Sequence, residues 1–272
     1  MPCGPRFLNN TDRKRIIMRI FAIGDVVSAN GCEFLRSRLP AFKKVKGVDF
    51  CIVNGENSAV GNGITPFSAE YLFDSGADFI TTGNHAFRRK EMYEYFDSNT
   101  RVIRPANFSS AAPGRGFSQV DLGFTTVTVI NLSGRVYMDS CDNPFDAADR
   151  ILSGIEGKVI MVDFHAEATA EKGALARYLD GRVSAVFGTH THVQTNNAAI
   201  LPGGTGFITD LGMTGAADSI LGVKPELSVN WMRTGMPTRF DAADGPCRMD
   251  GCLFDIDNKT GLCTAVEPVS IE

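Results

Sequence analysis

Four histidines and a few oxygen-bearing side chains could carry chemistry in this chain. His190 and His192 stand two apart in Gly188-Thr189-His190-Thr191-His192. Asn84 and His85 follow Gly83, and His165 closes Asp163-Phe164-His165. Glu56 and Asn57 follow Asn54-Gly55, and Asp25 follows Gly24. Imidazole, carboxylate and amide oxygen without thiolate suit Mn²⁺, Fe²⁺/Fe³⁺ or Zn²⁺ rather than Ca²⁺ or an iron–sulfur cluster. A lone hydrolytic metal needs about three protein ligands, so a set this large points to two. Asp25 and Glu56 supply anionic oxygens, and a shared carboxylate lets two cations sit roughly 3.5–4 Å apart. In extended backbone, residues two apart face one side, so His190 and His192 are expected to meet one cluster along a strand.

Each signal alone has a plainer reading. Asp25 after a glycine serves equally well as a helix cap. Asn84 and His85 fit an asparagine turn with a solvent-facing imidazole. Asn57 is either a ligand or a group that holds the loop, and an isolated His165 is a hydrogen-bonded core histidine. Position is what gathers them. Each lies where a short apolar run ends: 20–23, 50–53, 79–80, 159–162 and 183–187. Such runs, bounded by turn residues, are strands buried on both faces, and open α/β sheets bind ligands just beyond the carboxyl ends of their strands.

The elements needed to place these ends follow from the pattern. Strand 19–23 precedes a helix around 31–42, strand 49–53 a helix from Pro66, and strand 78–82 a helix around 88–97. This alternation predicts right-handed βαβ units in a mostly parallel sheet. Segments 117–121 and 125–132 flank Gly123-Phe124 as a hairpin. Asn143-Pro144 opens a helix to about residue 154, and a helix at 168–180 joins the fourth ligand-bearing strand to the fifth. Strands near 198–201 and 206–210, an irregular stretch 211–249 and two closing strands around the turn 257–261 complete the chain. With no repeat or linker, the expectation is one α/β domain over 18–272, built of two packed mixed β-sheets flanked by helices. Residues 1–17 are expected to be a flexible tail, with Met18, just before the first strand, an alternative start.

Composition narrows the function classes. Among 272 residues, 43% are apolar and 21% charged, as in an ordinary globular protein. A net charge of −4 argues against broad nucleic-acid binding. Seven scattered cysteines argue against a disulfide framework and for a reducing, cytoplasmic setting. No apolar run approaches a membrane span, and the basic N-terminal residues lack the apolar core of a secretory signal.

Gly-Asp, Gly-Glu-Asn, Gly-Asn-His, a distal histidine and Gly-x-His-x-His, in that order, resemble the calcineurin-like metallophosphoesterase superfamily. Two departures are informative. Asp25-Val26-Val27 replaces the usual Asp-x-His, and Asn54-Gly55-Glu56-Asn57 replaces Gly-Asp-x-x-Asp-Arg-Gly. Both match the bacterial YmdB-type 2′,3′-cyclic nucleotide phosphodiesterases. So do Gly61-Asn62-Gly63-Ile64-Thr65, Arg104-Pro105-Ala106-Asn107, Asn131-Leu132-Ser133-Gly134-Arg135, Asp142-Asn143-Pro144-Phe145, Val193-Gln194-Thr195 and Asp210-Leu211-Gly212-Met213-Thr214-Gly215. The likeness runs from about Met18 to the last strand.

The resemblance implies a four-layer α/β sandwich with a dinuclear centre of Fe or Mn, with Zn or Mg as alternatives. Asp25, Glu56, Asn57 and His192 would hold one ion, and Glu56, Asn84, His165 and His190 the other. His85 would stay free as general acid opposite a metal-bound hydroxide. The substrate would be a small cyclic nucleotide, and the assembly a homo-oligomer, dimer or tetramer. Around His85 the chain reads Ala86-Phe87-Arg88 where Thr-Trp-Asp is typical, and Asn62 stands where lysine is common; substrate preference is what these changes touch. The same centre would also serve a phosphomonoesterase, a phosphoprotein phosphatase or a metal-loaded regulatory scaffold. Met213, Ile220, Leu221, Trp231 and Met236, in 211–249, would cover a sheet edge or form a subunit interface.

Overall fold

The computed structural model describes residues 16–272. In chain order the elements are β1 (Ile17–Ile23), β2 (Asp25–Val26), α1 (Ser28–Lys46), β3 (Phe50–Asn54), α2 (Pro66–Asp74), β4 (Phe79–Thr81) and α3 (Met92–Ser98). There follow β5 (Phe117–Asp121), β6 (Thr126–Ser133), α4 (Pro144–Leu152), β7 (Val159–His165), α5 (Thr169–Tyr178) and β8 (Ala185–Thr189). The last are β9 (Ala199–Ile200), β10 (Gly206–Ile208), β11 (Met213–Ala216), α6 (Pro225–Thr234), β12 (Cys247–Asp257) and β13 (Cys263–Ile271). One sheet runs β2-β11-β12-β1-β3-β4, with β13 also on β12; the other runs β5-β6-β7-β8-β10-β9.

Alternation along the strands decides what each face meets. Met18, Ile20 and Ala22 of β1 join Phe50 and Ile52 of β3 and Cys252, Phe254 and Ile256 of β12. They pack against Val127 and Val129 of β6, Met161 of β7 and Phe187 of β8. That is the seam between the sheets. The alternate residues Phe21, Ile23, Cys51 and Val53 face Leu35 and Leu39 of α1 and Leu72 of α2. On the far side, Ile130, Leu132, Ile160, Val162 and Phe164 face Ala147 and Ala148 of α4 and Leu175 of α5. The layers are therefore helix, sheet, sheet, helix. The apolar runs are continuous because both faces of every central strand are buried.

Helix starts are locally encoded. Thr65 and Ser68 form a capping box across the first turn that Pro66 opens, and Asn143 Oδ1 accepts from the Phe145 amide at 3.0 Å with Pro144 in the first turn. Parallel pairing then aligns the strand ends: Asn54 lies opposite Thr81, and His165 opposite Thr189. β1, β3 and β4 of one sheet and β7 and β8 of the other deliver their carboxyl ends to one crevice.

Several boundaries depart from expectation. The stretch 211–249 is not irregular, because it holds β11, α6 and the start of β12. Of α6 only Ser228 is buried, and its apolar Val229, Trp231 and Met232 stay exposed, so no stripe of it faces the core. Asp25 caps no helix; it lies in β2, and the residue preceding α1 is Val27. Residues 1–15 of the expected tail lie outside the described residues, and Ile17 already pairs with Asp257 in β1. Among the described residues no helix is long and apolar enough to cross a membrane.

A buried ion pair locks the two-histidine loop to the second sheet. Lys172 of α5 donates to Asp210 Oδ2 at 2.6 Å, with both side chains 1% exposed. The same oxygen accepts from the Thr191 amide at 3.1 Å. Burial pushes Asp210 up from its ordinary value, with Lys172 opposing the shift. Removing one partner of a buried pair strands the other. Lys172→Met should therefore cost about 3–5 kcal/mol, read as a lower urea midpoint with an unchanged m-value.

Candidate metal centre

All eight sequence-selected residues meet in this crevice. Glu56 is buried, with Oε1 at 3.2 Å from His165 Nε2 and 3.3 Å from His85 Nδ1. His165 Nε2 also lies 2.9 Å from Asn84 Oδ1 and 3.1 Å from His190 Nδ1. Asp25, fully buried, has Oδ1 at 3.5 Å from His192 Nε2, and its Oδ2 accepts from the His190 amide at 3.0 Å. The Asn57 amide nitrogen lies 3.3 Å from Glu56 Oε1 and 3.4 Å from His192 Nε2, while its Oδ1 accepts from His85 Nδ1 at 2.9 Å.

The approach depends on what is missing at Gly83. A Cβ there would fall 2.2 Å from His165 Cδ2 and 2.3 Å from Glu56 Oε2. Any side chain would pry the carboxylate and the imidazole apart. The expected strand geometry of the histidine pair is not what brings them in. β8 ends at Thr189, and His190 and His192 adopt φ of +97° and +61°. They converge through two left-handed residues, which is unusual outside glycine and concentrates at functional sites.

Hydrogen bonding fixes which ring nitrogens face inward. Thr189 Oγ1 donates to Asp163 Oδ1 at 2.7 Å, so it can only accept from His165 Nδ1 at 2.9 Å. Asp163 Oδ2 is held in turn by Thr81 Oγ1 at 2.5 Å and Asn54 Nδ2 at 3.1 Å. His190 turns Nε2 outward to Glu167 Oε2 at 3.2 Å. His192 Nδ1 donates to the Leu221 carbonyl at 3.0 Å. Each outer nitrogen is tied to an oxygen, which leaves the inner one as a lone pair, the arrangement that orients metal-binding histidines. Asp163, Thr189 and Glu167 were not singled out from the sequence, and Leu221 was expected only at a sheet edge or subunit interface. Asp163 and Thr189 had a readable signal, a polar residue two before and one before a candidate histidine; Glu167 and the Leu221 carbonyl had none.

The donor set fits a cation on its own geometry. Glu56 Oε1, Asn84 Oδ1 and His190 Nδ1 all crowd His165 Nε2, so acceptor faces acceptor unless positive charge lies between them. Glu56, His165 and His190 offer ligand atoms all within 4.8 Å of one another. Asp25 Oδ1 is buried and accepts no hydrogen bond. The electrostatics agree. Burial alone would raise Glu56, yet His165 and His85 hold it well below the carboxylate range. Burial would lower His165, but Glu56, Asp25 and Asp163 push it up to about 9. His190 is depressed to about 4 by burial and by His165. The cluster keeps a proton where a metal would compete for the same lone pair, so cation binding should release protons.

A cavity of about 570 Å³ opens over this floor, lined among others by Glu56, Asn57, His85, His190, His192, Leu221 and Phe240. His85 Nε2 has no hydrogen-bond partner among the described residues. The profile of the family described as "YmdB-like protein" matches residues 21–269. The chain belongs to the YmdB-like family. It is 43% identical over 256 residues to the 2′,3′-cyclic-nucleotide 2′-phosphodiesterase of Bacillus subtilis (strain 168), covering 93% of this chain and 97% of that protein. A hypothetical protein from Thermus thermophilus superposes with a TM-score of 0.89 at 40% identity, over 94% of this chain and 99% of that one. A novel phosphatase from Mycoplasma pneumoniae gives 0.90 at 29% identity, over 94% and 93%.

The Thr189 relay yields a test of the centre. Thr189→Val keeps shape but leaves His165 Nδ1 and Asp163 without their common partner. Affinity for Mn²⁺ should fall by about 10–100-fold in calorimetric titration, while Thr189→Ser retains it. Equal affinity in all three proteins would remove the relay from any role in metal binding.

Proposed function

We propose that the chain is a dinuclear-metal phosphodiesterase that opens 2′,3′-cyclic nucleotides. The observation that carries this reading is the convergence of imidazole, carboxylate and amide atoms on His165 Nε2 beneath a cavity that also holds the uncommitted Nε2 of His85. The activity named for the Bacillus subtilis relative supports the choice of substrate. Asp25, Glu56, Asn57 and His192 would hold one cation, and Glu56, Asn84, His165 and His190 the other, with Glu56 shared.

When bound, the cations supply a water of lowered pKa as nucleophile and offset charge growing on the phosphoryl oxygens. The residues do the rest. Asn57 Oδ1 grips His85 Nδ1 and turns the opposite edge of the ring to the cavity. From there His85 Nε2 delivers a proton to the departing ribose 2′ oxygen as the P–O2′ bond breaks. The attacking water oxygen becomes part of the phosphate, and the product is a nucleoside 3′-phosphate. The buried carboxylates keep the floor anionic and ready for cations, while Thr189, Glu167 and Leu221 keep the imidazoles from turning.

Separating metal binding from proton delivery tests this. His85→Ala should keep both metals by elemental analysis and lose about 10²–10⁴-fold in kcat on 2′,3′-cyclic AMP. Asp25→Ala and His192→Ala should lose metal as well. Hydrolysis by His85→Ala at the parent rate would refute the assigned acid. A wild-type preference for a phosphopeptide over cyclic nucleotides would refute the substrate class.

A further inference from the structure

The cavity above the metal floor has one wall that phosphate chemistry does not need. Leu221, Val223 and Phe240 line it, and Leu221 and Phe240 remain 46% and 44% exposed. Asp241 lines the same wall. The wall is bonded to the floor. The carbonyl of Leu221 accepts from His192 Nδ1, while its backbone stands at φ +54°, strained for a leucine. Val223 bridges Ala242, the Lys224 amide donates to the Asp241 carbonyl at 3.1 Å, and the Ala243 amide donates to the Gly222 carbonyl at 2.8 Å. Phe240 is braced edge-on by Trp231, with ring centroids 5.9 Å apart at 81°. An aromatic ring is thus held at a fixed place relative to the histidines.

We infer that this wall is a nucleobase subsite that favours guanine, an assignment that rests on the phosphodiesterase reading above. A cyclic nucleotide has a charged end and a flat apolar end, and this cavity joins the floor proposed to hold the cations to an apolar wall within one enclosure. The Phe240 ring offers a stacking platform that every base can use. Asp241 adds discrimination. The neighbouring Lys224 pairs with Asp244 at 3.7 Å, which leaves Asp241 without a salt bridge among the described residues. A carboxylate only accepts. Guanine presents N1–H and its 2-amino group side by side as two donors, whereas adenine sets an N1 acceptor beside its amino group. The occupant is therefore a guanine nucleotide rather than a flexible apolar ligand or a second copy of the chain.

Three substrates separate the possibilities: 2′,3′-cyclic GMP, 2′,3′-cyclic AMP and the base-free glycerol 1,2-cyclic phosphate. In Phe240→Ala, kcat/KM for 2′,3′-cyclic GMP relative to the base-free substrate should fall about tenfold, mainly through KM. In Asp241→Asn, the guanine-to-adenine ratio should collapse towards one. Guanosine binding to metal-free protein, followed by fluorescence of the sole tryptophan, Trp231, reads the subsite without turnover. Wild-type protein that binds guanosine but cleaves none of the three would sink the phosphodiesterase reading and spare the subsite. Unchanged ratios and unchanged guanosine binding in Phe240→Ala would sink the subsite and spare the reading. An unchanged guanine-to-adenine ratio in Asp241→Asn would overturn the guanine assignment, and a Phe240→Ala protein that changes only its oligomeric state would give the wall to a second copy.

Discussion

Acceptor atoms brought face to face around His165 Nε2 are the constraint on which the rest of this structure depends. Three lone-pair donors within about hydrogen-bonding distance of a fourth repel one another unless a cation or proton sits among them. The fold holds them there against that repulsion, and does so with rigid parts. Glu56 and His165 come from different sheets, so their distance is set by the packing of the seam and not by a flexible loop. Gly83 supplies the clearance between them, and no larger residue can stand there without moving one of the two.

Fixing a distance is not enough, because an imidazole can present either nitrogen. The outer ties settle that point by three different means. His165 uses a hydroxyl whose own proton is taken by a buried carboxylate, His190 uses a half-exposed glutamate, and His192 uses a backbone carbonyl. The first is the most secure, because Asp163 and Thr189 are fully buried and no water competes. Burial pushes Asp163 up to about 6, a cost that the hydrogen bonds from Thr81, Thr189 and Asn54 partly offset.

Much of this was legible in the sequence. Strands buried on both faces announce themselves as unbroken apolar runs, and their ends marked Asp25, Glu56, Asn57, Asn84, His85, His165, His190 and His192 without any alignment. Two packed sheets flanked by helices followed from the same runs, and the family resemblance implied their four-layer order. What stayed hidden had weak periodicity or depended on tertiary contact. Helix α6 buries only Ser228, so no core-facing apolar stripe marks it, and its readable signals were its ends, Pro225 in the first turn and Gly235 as a left-handed cap. The left-handed backbone at His190 and His192 breaks the alternation rule that their spacing suggests. A carbonyl such as that of Leu221 has no sequence identity at all, so its bond to His192 could only be found in three dimensions.

The strained residues also explain how selectivity could be built next to a general-purpose centre. A metal floor sees only phosphate, so discrimination among esters must come from groups beyond it. A loose loop would supply contact but not position, since each ordered side chain costs entropy on binding. Here Leu221 pays that cost during folding. Its carbonyl accepts from His192 Nδ1 and the residue lines the cavity, so the left-handed turn that orients His192 also sets the wall. Anything that shifted the wall would disturb His192, and the reverse holds equally. In the proposed reading, substrate preference and metal geometry are coupled through this one backbone position, so changes along 219–223 would damage both, and Phe240 and Asp241, one hydrogen-bonded layer further out, are the residues free to vary.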